Sequence, residues 1–198
     1  MIKKGIQFSI ERIFDITISL LILTISLPIM LFALLGIVFT MPGYIFFTQE
    51  RVGKNKKIFR IYKLRTMKVD KDAEMKLDGS KDAERLTKFG KILRRTKIDE
   101  LPQLINVLIG DMSLVGPRPT IYQQVINYSE MQAHRLDMRP GMTGLAQVNG
   151  NIYLSWDERI KFDLEYINHF SLMLDVKILA KTVLVVIFGE KKFKGEQS

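Results

Sequence analysis

The chain of 198 residues has no cysteine. Disulfides, thiolate nucleophiles and cysteine-ligated zinc are thereby excluded. Histidine is almost as scarce: His134 and His169 are the only two, too few for a histidine-rich metal site. There is a single tryptophan, and no recognisable nucleic-acid motif accompanies the basic residues. A nucleic-acid-binding module is therefore set aside, and no nucleic-acid partner is expected. Acidic residues are outnumbered, leaving a net charge of +9. Such an excess suits an anionic partner such as phospholipid headgroups or a phosphorylated substrate. No internal repeat and no second globular unit is legible, and the length fits one domain plus attachments.

Charge itself is missing from Ile16 to Thr40, ITISLLILTISLPIMLFALLGIVFT. The run is too long for a signal peptide and lacks a small-residue cleavage site. It is a membrane-segment candidate; a buried soluble helix is the bland alternative. As a straight helix it would reach roughly 37 Å, enough for a hydrocarbon core of ~30 Å. Two features argue against simple crossing. Lys3, Lys4 and Arg12 precede it, and Arg51, Lys54, Lys56, Lys57 and Arg60 follow, so the positive-inside tendency draws both flanks to the cytoplasm. Pro28 removes a backbone donor mid-run, which kinks a helix. The freed carbonyl near Thr24 would need Ser26 or Thr24 as partner. A helix that enters, bends at Pro28 and leaves on the same face meets these demands, with limbs of about 18 Å. A kinked spanning helix is the alternative, with Met1 across the membrane.

Met1 to Arg12 reads as a short basic amphipathic start at the headgroups. Tyr44 to Thr48 and Ile58 to Met67 read as strands of a hairpin joined through VGKNKK. Lys68 to Glu84, charged and poor in large apolar residues, reads as a mobile loop. Helices are expected over Leu86 to Arg95, Asp99 to Ile109, Thr120 to Leu136, Trp156 to Asn168 and Leu174 to Phe188. GDMSLVGPRP reads as a turn-rich loop and RPGMTGLAQVNG as loop with one short strand. The apolar face of the last helix suits either a membrane surface or a core. The fold class is α+β, mostly helical. Residues 1–42 form the amphipathic start and membrane helix. Residues 43–198 are expected to form a cytoplasmic domain with a membrane-associated C-terminal helix.

TKIDELPQL places Asp99 beside Glu100. Adjacent helical residues point about 100° apart, so the two carboxylates can take different tasks, one toward a substrate atom and one toward a metal. Asp99 as a plain helix N-cap is the alternative. Two carboxylates ~6 Å apart repel by roughly 3 kcal/mol at an effective dielectric near 20. Burying them together demands cations: Arg94, Arg95 and Lys97 are near in sequence, and Arg118 follows in GPRP. Without thiolates or paired histidines, metal ligands would be oxygens, which favours Mg²⁺ or Mn²⁺. Carboxylates, a hard cation and arginines are what diphosphate chemistry requires. SLVGPRP carries Gly116. RPGMTGLAQVNG spaces Gly141, Gly144 and Gly150 among Arg139, Thr143 and Gln147. Such glycines let backbone N–H groups approach an anion closely, although glycine-proline loops are usually just turns.

The order of these segments resembles the bacterial sugar transferase family, the short-form monotopic phosphoglycosyl transferases. The hydrophobic N-terminal run is followed by FTQERVGKNKKIFRIYKLRTM, DELPQ, GDMSLVGPRP, RPGMTGLAQVNG and SLMLDVKIL. The resemblance covers nearly the whole chain. It implies transfer of a phosphosugar from a UDP-sugar to polyprenyl (undecaprenyl) phosphate, releasing UMP. It also implies a Mg²⁺ requirement (Mn²⁺ the alternative), a re-entrant membrane helix among membrane lipid, and the cytoplasmic face of the bacterial inner membrane. A homodimer is an open partner state. The family's first carboxylate, the nucleophile, matches Asp99, and its metal-binding second matches Glu100. Lys63, Arg94 and Arg118 match basic positions around the phosphates. The loop with Arg139, Gly141, Thr143 and Gln147 matches the nucleotide region. Asp175 matches an acidic position of the family near the N-terminus, for which a tethering role is expected. The family commonly has Ser directly before the bending proline; here Leu27 stands between Ser26 and Pro28. A non-enzymatic basic membrane scaffold, indifferent to Asp99, is the reading from another class. A transferase working by direct displacement is the nearest enzymatic rival.

Cysteines introduced singly as Ile2→Cys and Gly195→Cys should both react only from the cytoplasmic side. Labelling at position 2 from outside would mean that the segment spans.

Overall fold

A computed structural model describes residues 2–70 and 82–193. The loop expected over Lys68 to Glu84 lies largely outside the described residues. The described chain is α+β and mostly helical, with a small antiparallel hairpin and one long apolar N-terminal helix.

That helix, α1, runs Ile2–Thr40 without interruption and contains Pro28. Residues 2–12 of the expected amphipathic start continue the same helix. Glu11, Asp15, Ser19, Ser26, Ala33 and Ile37 are buried, and the stripe continues to Met41 beyond the helix end. Its spacing of four or seven residues keeps one face inward. The outward face carries Ile13, Leu20, Ile25, Phe32 and Phe39, the last 82% exposed. Polar residues point in and apolar ones out along the first half, the inverse of a water-soluble helix. Residues Gln7–Thr40 are long and apolar enough to cross a membrane. Thr24 Oγ1 donates to Leu20 O at 2.9 Å and Ser26 Oγ to Leu23 O at 3.4 Å. Neither hydroxyl meets the Thr24 carbonyl, because each side chain reaches back to its own preceding turn.

Strands β1, Phe46–Val52, and β2, Ile58–Leu64, pair antiparallel from Phe46↔Leu64 to Val52↔Ile58. Asn55 and Lys56 in the connection take positive φ, 54° and 63°. Side-chain alternation puts Gln49 and Arg51 on the same sheet face as Phe59, Ile61 and Lys63. After α2, Asp82–Arg85, helix α3 spans Lys88–Arg95. It starts two residues later than expected because Thr87 Oγ1 caps it, accepting from Gly90 N at 2.9 Å. Helix α4, Gln103–Ile109, ends at Gly110, whose φ is 93°. Arg12 caps its C-terminal carbonyls, donating to Val107 O at 2.5 Å and Leu108 O at 2.8 Å.

Strand β3, Ser113–Val115, lies in the stretch expected to be a turn-rich loop. It pairs in parallel with β4, Gly141–Thr143, the expected short strand. Between them the expected helix over Thr120 to Leu136 is broken into α5, Tyr122–Val125, α6, Glu130–Ala133, and a 3₁₀ turn at His134–Asp137. Ser129 restarts the chain as a capping box with Gln132, and this local hydrogen bonding outcompetes continuation. Then come α7, Leu145–Val148, α8, Trp156–Asn168, and α9, Leu172–Phe188.

The core gathers Phe59, Ile61, Leu104, Val107, Met112, Leu114, Tyr166 and Ile178 beneath α1. Asp15 Oδ1 accepts from Leu114 N at 3.0 Å, and Ser113 Oγ meets Glu11 and Asp15, each at 3.1 Å. At the other end of α1, Ala33, Ile37 and Met41 pack with Leu64 and Leu93. There Arg65 donates to the carbonyls of Met41 and Pro42. Both ends of α1 are thus moored to one body. Asp175 accepts from Tyr166 OH at 2.7 Å and so joins α9 to α8. Along α9, Ile178 is buried while Val176, Val183 and Ile187 are exposed.

Gly90 rests on the main chain of Thr66; a Cβ there would lie 1.9 Å from Thr66 O. Backbone cannot yield as a side-chain tip can. Gly90→Ala should lower stability by about 1–3 kcal/mol, read as a drop in Tm. Lys91→Ala on the exposed neighbour should leave Tm unchanged.

Candidate active site

The acidic pair sits in a bend rather than on an α-helix. Lys97 takes a left-handed conformation with φ 58° and closes α3. Pro102 has no N–H to continue a helical ladder, so Ile98–Glu100 forms an isolated 3₁₀ turn before α4. Neither carboxylate caps a helix, and the N-cap of α4 is Pro102 itself. The plain capping role for Asp99 is thereby removed. In a 3₁₀ turn neighbours diverge by about 120°, and the two side chains meet different surroundings.

Asp99 is 6% exposed, and its Oδ1 has no hydrogen-bond partner. Glu100 accepts from Lys63 Nζ at 2.6 Å, with Arg118 Nη2 at 3.6 Å. Arg94 is oriented by Thr66, its Nε donating to Oγ1 at 2.9 Å. Lys97 Nζ meets Glu190 at 2.8 Å, and Asn151 donates to the same carboxylate at 2.8 Å. The C-terminal 3₁₀ turn Glu190–Phe193 is thereby drawn beside the acidic bend.

These surroundings separate the two carboxylates electrically. Burial, then the Glu100 charge, pushes Asp99 up to about 6, against the pull of Lys63, Arg94 and Lys97. Burial also acts upward on Glu100, but Lys63 and Arg118 overcome it and hold the group down at about 2. Burial lowers Lys63, with Glu100 opposing. A pair pushed apart in this way supplies a more basic oxygen beside a permanently ionised one. A hard divalent cation fits this donor set: carboxylate oxygens, one of them a buried oxygen without a partner. Among the described residues no group of three or more acidic, histidine or cysteine side chains could hold a metal. The remaining ligands would come from substrate oxygens and water, as Mg²⁺ prefers.

Lys63, Arg94 and Arg118 therefore gather around Asp99 and Glu100. The Arg139 loop divides. Gly141 lines a cleft with Lys63 and Arg118. Arg139 Nε donates to Gly110 O at 3.2 Å. Thr143 Oγ1 is engaged with Thr182 Oγ1 at 2.7 Å, and Gln147 Nε2 with Met142 O at 2.9 Å. Gly116 and Gly141 let two backbone segments pack closely. Gly116 N donates to Thr143 O and Gly141 N to Pro117 O, each at 2.9 Å. A Cβ on Gly141 would lie 2.1 Å from Gly116 N.

Sequence reasoning missed Arg135. It is buried with Asp163 at 2.5 Å, donates to Tyr128 OH at 2.6 Å and to Arg118 O at 3.3 Å, and lies over the Trp156 ring. It holds the main chain of the residue that faces Glu100. No local pattern could reveal a pair 28 positions apart.

The model of the bacterial sugar transferase family matches residues 6–189. An uncharacterized sugar transferase, EpsL of Bacillus subtilis, is 41% identical over 181 residues, covering 91% of this chain and 89% of that protein. The UDP-glucose:undecaprenyl-phosphate glucose-1-phosphate transferase of Escherichia coli is 38% identical, covering 91% of this chain but 40% of that protein. The undecaprenyl-phosphate galactose phosphotransferase of Salmonella typhimurium is 37% identical, covering 93% of this chain and 42% of that protein. The chain thus spans most of one relative and about two-fifths of the two longer ones.

The folded state binds the Asp99 proton more tightly than the unfolded chain does. The stability this contributes is present in full below about pH 4 and is lost as pH rises through about 6. Asp99→Asn should therefore be more stable than the parent near about pH 8, by on the order of 2–3 kcal/mol, with the gain vanishing near about pH 4. Thermal melts across that range check it.

Proposed function

We propose, since this chain belongs to the bacterial sugar transferase family, that it transfers a phosphosugar from a UDP-sugar to polyprenyl phosphate. The products are polyprenyl-diphosphate-sugar and UMP, and Asp99 is the nucleophile. One observation carries the reading: a buried carboxylate with a free oxygen, next to an ionised one, inside a ring formed by Lys63, Arg94 and Arg118. Two longer relatives are named for transfer to undecaprenyl phosphate, and the named chemistry suits this arrangement.

In the first half-reaction an Asp99 oxygen attacks the β-phosphorus of the donor. The bond from that phosphorus to the bridging oxygen breaks, and UMP leaves with the electron pair. The phosphosugar stays on Asp99 as an acyl phosphate. In the second half-reaction an oxygen of polyprenyl phosphate attacks the same phosphorus, and Asp99 departs as free carboxylate. Arg94, Lys63 and Arg118 hold phosphate oxygens and gather the charge that develops on the leaving group. When bound, Mg²⁺ (or Mn²⁺) held at Glu100 would neutralise part of the diphosphate charge. The basicity of Asp99 favours attack at neutral pH while leaving it mostly ionised.

The lipid acceptor requires a membrane, and α1 supplies the apolar surface. Both its ends are moored to the same domain while the middle stays exposed, which supports a re-entrant seat over a spanning one. Cytoplasmic UDP-sugar supply would then place the domain on the cytoplasmic face.

Asp99→Asn should reduce UMP release from UDP-sugars with undecaprenyl phosphate to background while the protein stays folded and membrane-bound. Wild-type protein quenched with its donor should carry one phosphosugar on the Asp99 peptide by mass spectrometry. Turnover without any such adduct would favour direct displacement instead.

A further inference from the structure

The cleft beside Glu100 holds more positive charge than the acidic pair can balance. It opens to solvent and is lined by Arg51, Lys63, Gln103 and Arg118. Glu100 already serves both Lys63 and Arg118. Arg51 comes from β1, on the same hairpin face as Lys63, and its Nη2 donates to the neutral Gln49 Oε1 at 2.6 Å. No carboxylate pairs with it among the described residues. Burial, then the neighbouring Arg118 charge, lowers the Arg51 pKa to about 10. A half-buried guanidinium facing another guanidinium is unfavourable until an anion joins them. A second, independent feature lies in the same cleft wall. Gln103 is 3% exposed, and its Nε2 is fully shielded yet has no hydrogen-bond partner. A buried amide donor left without a partner is unfavourable.

We propose that Arg51 and Gln103, together with Arg118, form an anion subsite that takes non-bridging phosphate oxygens of a substrate beside the acidic pair. This rests on the phosphosugar-transfer reading for the identity of the substrate, but not for the existence of the subsite. Arg51 offers two parallel donors to a phosphate, Arg118 adds a second cation, and Gln103 gains the acceptor it lacks. The shared chemistry belongs either to the donor diphosphate or to the acceptor monophosphate. Arg60 provides the internal control: it lies on the opposite face of the hairpin and pairs with Glu50 in solvent.

The test measures binding of inorganic pyrophosphate and of UMP, without metal, to detergent-solubilised full-length protein by calorimetry. Arg51→Gln should weaken pyrophosphate about tenfold or more, the loss of a charge-assisted hydrogen bond. Arg51→Lys should recover part of the affinity, and Arg60→Gln should bind as wild type. Gln103→Glu, which sets a carboxylate in the wall, should weaken it too, with unchanged circular dichroism and melting to exclude misfolding. Gln103→Met keeps the shape should Gln103→Glu fail to fold, and the same loss is expected of it. Wild-type affinity in folded Arg51→Gln and in the folded Gln103 variant would overturn the subsite, even if sugar transfer is fully confirmed. Weakened pyrophosphate in a protein that turns over no UDP-sugar would keep the subsite and sink the transfer reading instead. Steady-state kinetics then separate the sources: a rise confined to the UDP-sugar KM assigns the donor diphosphate. A rise confined to the polyprenyl phosphate KM assigns the acceptor.

Discussion

The ion pair between Lys63 and Glu100 joins the second strand of the hairpin to the bend that carries both carboxylates, 37 positions later. Each partner is largely buried, with side chains 19% and 14% exposed. Removing one would strand the other, at about 3–5 kcal/mol. The same contact helps hold Glu100 ionised, and that charge adds to burial in raising the basicity of Asp99. Arg118 completes the balance from the GPRP loop, and that loop is itself held by the buried Arg135–Asp163 pair. Charge placement, more than any single backbone feature, organises this side of the molecule.

The long helix answers a different constraint. Its inward stripe begins with Glu11, Asp15 and Ser19 and ends with Ala33 and Ile37, while large apolar side chains face outward between them. Hydrogen bonds to Ser113 and Leu114 moor one end, and packing against Leu64 and Leu93 moors the other. The helix therefore presents its apolar surface on the same body that carries the acidic bend.

Much of the secondary structure was legible where one signal dominated. Alternation marked the hairpin, and the helix expected over Trp156 to Asn168 is α8 as found, with Ser155 as its cap. Legibility failed where local and longer-range demands competed. The stretch Thr120 to Leu136 has helical composition, but the Ser129–Gln132 capping box interrupts it. In sequence, the glycines of the two loops offer room for an anion. The folded chain uses that room for β3 and β4 to approach one another. Arg139, Thr143 and Gln147 have side chains suited to a nucleotide, yet each makes a protein contact in the fold.

What the sequence determined by itself was chemistry by type: no thiol, no histidine cluster, adjoining carboxylates amid cations, and one charge-free run. Those follow from composition and order along the chain, which folding cannot alter. Only the tertiary structure decided which cations reach which carboxylate, because Lys63, Glu100 and Arg118 come from a strand, a bend and a loop. It likewise decided that a buried Asp99 oxygen is left without a partner while Glu100 is paired with Lys63. Burial and distance set those differences, and neither quantity is written in a linear order of residues.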